Sequence, residues 1–483
     1  MIDTGTQTTF DIASNSIRQY KSECMRRNVQ PEASIVNALT NASKKEEPLY
    51  QIVVRDTLLS RAQCEAISTL IPASSKLFIR VLDFEGSLKE DTVEVILESA
   101  RQAPTLDVLN LKNCKVLSLK SCTLISEMIK NGFPMRVLDI SNNQVDVNGL
   151  QLIGKSLTSP CCHLEILKMN CLTPSSSVLA SMQLISKSLS SNTTVLSLGV
   201  GENHLTSQST EHMTMFLKDT IPLPPITPRD ESPTQIEKEK EEKEKLSSEE
   251  NEIEKSENKS SSIKAEREAD ESVAQISPIK ITSAIIYTSQ LASLDLRQNN
   301  IGDEGALKIS TCLKTNRTLL SLVLWATHLS PVGIGYLCNG LSDNSTLQHF
   351  DIGCNIVGFE GCKHLGVLLK SNFTLTTIGI ASSEICSDDL IHICQALVSN
   401  WALLRIDLRR NPRLSYKGIQ QLKTVMEANT TIQCIFMDTQ QLIEKCKEGS
   451  EKHLLQADLQ YIQQSCERNI SSFIKANSIP ENE

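Results

Sequence analysis

Residues able to do covalent or metal chemistry are scattered in this sequence. Cys161-Cys162-His163 is a compact set of donors and Cys386 lies far along the chain, but no second paired cluster completes a zinc set. The eight histidines are dispersed. No phosphate-cradling Gly-rich loop and no nucleophile motif occurs, so no catalytic residue, metal ligand or cofactor is assigned and no small-molecule substrate is expected. Recognition chemistry is denser. Charged and aromatic residues alternate with aliphatic ones at Asp295 and Arg297, Val323 and Trp325, His349 and Asp351, Thr377 and Ala381, then Arg405, Asp407 and Arg409. Tryptophan and arginine dominate the energetics of protein interfaces, so Trp325 with its charged neighbours forms the candidate partner-binding face. The competing account is a solvated ladder of Asp and Arg on adjacent strands, worth about 0–1 kcal/mol per pair.

Alternate residues share a face only where the chain is extended, so these side chains require strands to hold them. The strands announce themselves by a period. Leu291-Ala-Ser-Leu-Asp-Leu-Arg-Gln-Asn299 sets the pattern, which returns at Leu319, Leu347, Leu375 and Leu403 in steps of 28 residues and at Ile432 one residue late. Weaker copies begin at Leu49, Ile79, Leu106, Met135, Leu164 and Val195, giving about twelve units. Within a unit the alternating leucines turn one strand face inward, and Asn299 follows at the turn, a slot shared by Asn143, Asn203, Asn355 and Asn411. A helix with Leu307, Ile309 and Leu313 then packs on the strand. One unit cannot bury its own apolar face, so units must stack. The expected fold class is α/β, a leucine-rich-repeat solenoid or horseshoe with parallel strands on the concave face, helices outside, helical caps at both ends and one disordered insert.

Composition agrees with a large aliphatic core: 40% of the 483 residues are hydrophobic and only 4% aromatic. A net charge of −9 argues against nucleic acid as partner. No stretch of about 18 apolar residues occurs, so no membrane span is expected, and Met1–Arg18 lacks the pattern of a secretory leader. The sixteen cysteines are scattered, and Cys312, Cys338, Cys362 and Cys394 fall in the helical half of successive repeats, where a free thiol packs as a small hydrophobe. Reduced cysteines and a cytoplasmic location, shared or not with the nucleus, follow as expectations. The sequence divides into an N-terminal helical cap (8–45, with Ile12, Ile17, Tyr20, Cys24 and Met25 apolar-side), repeats (46–220), an acidic Glu/Lys-rich insert (221–280), repeats (281–439) and a C-terminal helical cap (440–475). Leu442, Leu454, Leu455, Leu459, Ile462 and Cys466 form the apolar side of the last. The insert has no aromatic residue and too little apolar surface to offset ordering entropy, which predicts disorder. Thr227, Ser232 and Ser277, each before proline, are candidate kinase sites in or beside it. Five of the glycosylation sequons, at Asn192, Asn316, Asn344, Asn372 and Asn429, fall just before a strand, which predicts a structural role for these asparagines.

The chain resembles the protein phosphatase 1 regulatory subunit 37 family. The likeness is carried by Leu291–Asn299, Leu322-Val-Leu-Trp325 and Asp407-Leu-Arg409, by Ile17-Arg-Gln-Tyr-Lys-Ser-Glu-Cys24 ahead of the repeats and by Cys466-Glu-Arg-Asn469 after them. The resemblance implies a regulatory, inhibitory subunit with the phosphatase 1 catalytic subunit as partner. Such regulators dock through a basic–Val–x–Phe motif, of which no copy occurs: Arg80-Val-Leu-Asp-Phe84 has one residue too many and Val357-Gly-Phe359 lacks the basic residue. Two alternatives stay open, a GTPase-activating protein using Arg410 or Arg413 on a repeat loop and an inhibitor of an unrelated enzyme.

Overall fold

A computed structural model describes residues 9–72, 77–218, 289–446 and 449–477. The 221–280 insert, with Thr227, Ser232 and Ser277, lies outside the described residues. The strands in chain order are β1 (Gln51–Val53), β2 (Val81–Asp83), β3 (Val108–Asn110), β4 (Lys115–Leu117), β5 (Val137–Asp139), β6 (Asn143–Val145) and β7 (Ile166–Lys168). They continue as β8 (Ser197–Gly199), β9 (Ser293–Asp295), β10 (Ser321–Val323), β11 (His349–Asp351), β12 (Thr377–Gly379), β13 (Arg405–Asp407) and β14 (Cys434–Phe436). Twelve of them form one parallel sheet in chain order, while β4 and β6 pair separately. Each sheet strand starts two residues after one of the repeat starts read from the sequence.

A constant 28-residue step fixes the register. Leu294, Leu322, Phe350, Ile378 and Ile406 stand in one row across β9 to β13, and all are buried. Burying one such side chain is worth about 1.5–3 kcal/mol, so a row of them holds the stack that no single repeat can hold. Helices such as Gly302–Leu313, Pro331–Ser342 and Gly358–Ser371 close the other side of this core, and Cys312, Cys338, Cys362 and Cys394 are buried within it. The stack is continuous across the insert: β8 pairs with β9, Ser197 opposite Ser293, and Asn316 Nδ2 donates to the Leu217 carbonyl at 3.0 Å.

Buried backbone polar groups need partners, and two asparagine ladders supply them. In the first, at the end of each strand, Asn299 donates to Val200 O (3.0 Å) and Leu296 O (2.8 Å) and accepts from the Asn203 and Leu205 amides, both at 3.0 Å. Asn355 and Asn411 repeat the arrangement in later coils. The second ladder contains those five sequon residues, all of them buried. Asn372, for example, donates to Leu341 O (2.9 Å) and Asn344 O (3.2 Å) and accepts from the Thr374 and Leu375 amides. Asn400 occupies the same slot without a sequon. An amide committed to these bonds is closed to a glycosyl transferase, so the structural account of the sequons stands.

Both ends carry helices. Thr9–Arg26 and Ala33–Lys45 pack on the first repeat, with Tyr20 and Cys24 fully buried and the Tyr20 hydroxyl accepting the Glu32 amide at 3.0 Å. Met25 departs from the sequence reading: it is 82% exposed, because Cys24 already fills the inward position one residue earlier. At the other end Gly449–Asn477 lies on the last repeat. Leu455, Ile462, Cys466 and Asn469 turn inward at helical spacing, whereas Leu454, one residue or about 100° off that line, is exposed. Asn469 Nδ2 donates to Ile432 O at 2.8 Å and to Asn429 O at 3.4 Å, and Arg468 donates to Met426 O at 3.4 Å, so this helix covers the end of the second ladder. Among the described residues no helix is long and apolar enough to cross a membrane.

Candidate protein-binding surface

Strand residues that point away from the leucine row form the strand-lined face, and the loops that follow add to it. Here Asp295, the last residue of β9, and Arg297, in the loop after it, form a bracket within one coil. The Arg297 guanidinium contacts the Asp295 carboxylate at 2.7 Å while the Arg297 amide donates to the same carboxylate at 3.1 Å. Asp407 and Arg409 repeat it at 2.6 Å and 3.0 Å. In this half the expected Asp–Arg ladder across adjacent strands is therefore replaced by pairs two residues apart in one coil. Cross-strand pairing belongs to the other half, where Arg55 pairs with Asp83 and Lys112 with Glu85. The brackets act on ionisation. Burial works to raise the Asp407 carboxyl, but the Arg409 side chain and amide outweigh it and hold the group below its ordinary range.

Trp325 lies between the two brackets and does not stand upright. A Cβ placed on Gly353 would sit 2.7 Å from Trp325 Cδ1 and 2.9 Å from Nε1, so the indole lies down across the glycine of the next strand. Asp351 leans the same way over Gly379, whose Cβ would meet its Oδ1 at 2.5 Å. These glycines are what sequence reasoning missed. They mark where a neighbouring strand makes room, and they are visible in the sequence only when repeats are laid side by side.

The ring and the brackets enclose a depression of about 510 Å³ lined by Arg297, Gln298, Trp325, Asp351, Ala381, Ser382, Asp407, Arg409, Arg410 and Asp438. Six of the eleven residues named from the sequence thus meet there: Arg297, Trp325, Asp351, Ala381, Asp407 and Arg409. Asp295 braces Arg297 from outside the lining. His349 and Arg405 start their strands and stay out of it. Arg410, singled out in the sequence only as a loop arginine, also lines the depression beside Asp438, which no sequence feature marked, and the Arg410 amide donates to the Asp438 carboxylate at 2.6 Å. Asp351 is the carboxylate here whose proton affinity is raised, by burial first, with the Gly353 amide and His349 working the other way. The arrangement offers charge of both signs and an aromatic plane, which is equipment for recognition.

The other tryptophan was overlooked because it lies off the strands. Trp401 is 65% exposed and stacks on Phe373 at a centroid distance of 5.0 Å and an interplanar angle of 14°. Both follow ladder asparagines, Asn400 and Asn372, at the edge where helices lead into strands. An apolar cleft also lies between β14 and helix Gly449–Asn477, lined among others by Ile435, Leu459, Ile462 and Ile470. Among the described residues no group of histidines, cysteines and carboxylates has a metal-holding arrangement.

Comparison with known proteins agrees with this architecture. The Leucine Rich repeat family matches residues 133–154 and 291–310. Pig ribonuclease inhibitor is 23% identical over 395 residues, covering 80% of this chain and 76% of that one. Human NACHT, LRR and PYD domains-containing protein 13 is 28% identical over 151 residues, 31% of this chain and 14% of its own length. Among solved structures, the leucine-rich repeat-containing protein LegL7 from Legionella pneumophila covers 86% of this chain and 98% of its own, at 11% identity and a TM-score of 0.37. The chain thus carries leucine-rich repeats and is similar in sequence to ribonuclease inhibitor.

Proposed function

We propose that this protein is a non-enzymatic scaffold that binds a partner protein on its strand-lined face, with the depression around Trp325 at the centre of contact. The observation that carries this is the convergence of an indole, three arginines and three aspartates on one open depression framed by rigid strands. Such a centre concentrates binding energy in a few residues. The finer form of the reading is an inhibitory regulatory subunit of protein phosphatase 1, supported by the resemblance in the repeats and both flanks. Arg80-Val-Leu-Asp-Phe84 is unsuited to serve as a docking peptide, since Val81–Asp83 is β2 and Phe84 is fully buried. Phosphatase contact would therefore fall to the folded surface. A second reading, inhibition of an unrelated enzyme, is favoured by the likeness to ribonuclease inhibitor across most of its length. A reducing compartment fits both. The buried thiols of Cys338 and Cys394 are pushed up to about 12 by burial, which keeps them protonated and inert.

The test is capture of the purified phosphatase 1 catalytic subunit by the full chain, wild type beside Trp325→Ala. A central tryptophan contributes about 2 kcal/mol or more, so the variant should bind at least ~30-fold more weakly with its melting temperature nearly unchanged. Capture by neither protein removes the phosphatase. Equal capture by both moves the site off this face.

A further inference from the structure

The depression holds a carboxylate that is in no ion pair with the cations around it, although His349 and Arg297 act on it from a distance. Arg297 is committed to Asp295 and Arg409 to Asp407, each within its own coil. Asp438 gives one oxygen to the Arg410 amide. Among the described residues Asp351 has no cation at ion-pair distance, and its hydrogen bond is from the Gly353 amide to Oδ1 at 2.9 Å. The same Gly353 carries the Trp325 ring on its backbone. Carboxylate and indole thus flank one residue and open into one space, which is large enough for a long side chain. An aromatic face attracts a cation within about 6 Å of its centroid, and a planar guanidinium both stacks on such a face and forks onto a carboxylate.

We propose that this depression takes one arginine side chain from a basic segment of the partner protein, its guanidinium laid on Trp325 and paired with Asp351. The proposal rests on the strand-face reading above and names the chemistry of the group received there. Arg297 and Arg409, already neutralised by their own aspartates, serve as walls rather than competitors. Asp438 and Ser382 add oxygen acceptors at the far side. Burial raises the proton affinity of Asp351 more than the Gly353 amide and the charges of His349 and Arg297 lower it, and an incoming guanidinium would supply the ion pair that the site lacks.

The experiment follows the indole N–H resonance of Trp325 in the full chain carrying Trp401→Phe, which leaves Trp325 as the sole tryptophan. Should that variant misfold, the wild type serves, with its two indole signals assigned through Trp325→Phe. Acetyl-Gly-Arg-Gly-amide is titrated at physiological salt against the same peptide with citrulline, the neutral isostere. A saturable shift with the arginine peptide, weaker by about tenfold or more with citrulline and lost by a similar factor in Asp351→Asn, is expected. Equal shifts from both peptides, or an Asp351→Asn protein that binds like the wild type, overturn the proposal. Phosphatase capture run in parallel separates the two ideas. Trp325-dependent capture without an arginine response leaves the strand-face reading standing and removes this one, whereas an arginine response without capture supports this one and removes the phosphatase.

Discussion

Replacing Asn355 by alanine removes four short bonds to buried backbone groups at once, together with a longer one to the Gly353 carbonyl at 3.1 Å, although the Leu324 carbonyl keeps the Thr327 hydroxyl at 2.6 Å. The Asn355 Nδ2 donates to Leu324 O at 2.8 Å and Ile352 O at 2.9 Å, and its Oδ1 accepts from the Thr327 and Leu329 amides at 3.0 and 2.9 Å. Leu324 and Thr327 bracket Trp325 and Ala326, and Ala326 is held at a φ of 54°, a strained value for a residue with a Cβ. Each bond contributes about 0.5–1.5 kcal/mol net, so four give roughly 2–6 kcal/mol, reduced by water entering the space the amide leaves. The expected loss is about 3–4 kcal/mol, measured by urea unfolding followed by circular dichroism. The fluorescence of Trp325 in a Trp401→Phe background should respond at lower denaturant than the helical signal, because neighbouring repeats are coupled only pairwise. Asn339→Ala, an exposed helix position, is the control and should stay within about 0.5 kcal/mol. A loss for Asn355→Ala no larger than the control's would refute the claim that the ladder holds the turn beneath the indole.

Three further outcomes are expected. Asp351→Asn should raise the melting temperature at pH 7: the folded-state carboxyl is shifted up, so its contribution is full at low pH and lost as pH rises through that value. The difference from wild type should vanish below about pH 4, and an advantage that persisted at pH 3 would contradict the sign. Gly353→Ala should cost about 1–3 kcal/mol and shift Trp325 emission to the red, since its Cβ meets both the ring and the Ala381 carbonyl at 3.0 Å. Unchanged emission would mean the indole does not lie on that glycine. Replacing residues 221–280 by ten Gly/Ser residues should leave the circular dichroism of the repeats intact and raise stability by about 1 kcal/mol through a shorter loop closure; loss of cooperative unfolding would show that pairing of β8 with β9 depends on the insert.

The sequence disclosed the parts of this protein that repeat. Leu294, Leu322, Phe350 and Ile378 recur at one interval, so strand, face and register could all be read from spacing, and the sequon asparagines before the strands could be recognised as structural by the same regularity. What did not repeat was hidden. Met25 and Leu454 sit beside residues that fill the same helical face, and periodicity does not say which of two neighbours turns inward. The within-coil pairing of Asp295 with Arg297 depends on side-chain reach, which spacing does not encode. Trp325 was found because it replaces a small or charged residue in a strand slot. Its posture was not, because posture is set by Gly353 one coil away and 28 residues later. Trp401 escaped for the opposite reason: it belongs to a loop position with no fixed residue type.

Asn469 has a consequence for self-association. A stack of identical coils is, in geometry, a short length of filament, and β14 is the end on which another copy would template itself. By the pattern of the second ladder, the carbonyls of Met426 and Asn429 are the groups that the asparagine of a thirteenth coil would claim. A helix meets them instead, with Arg468 on the Met426 carbonyl and Asn469 on that of Asn429. The groups by which one coil fastens to the next are thus closed at this end by a helix, and the array stops growing.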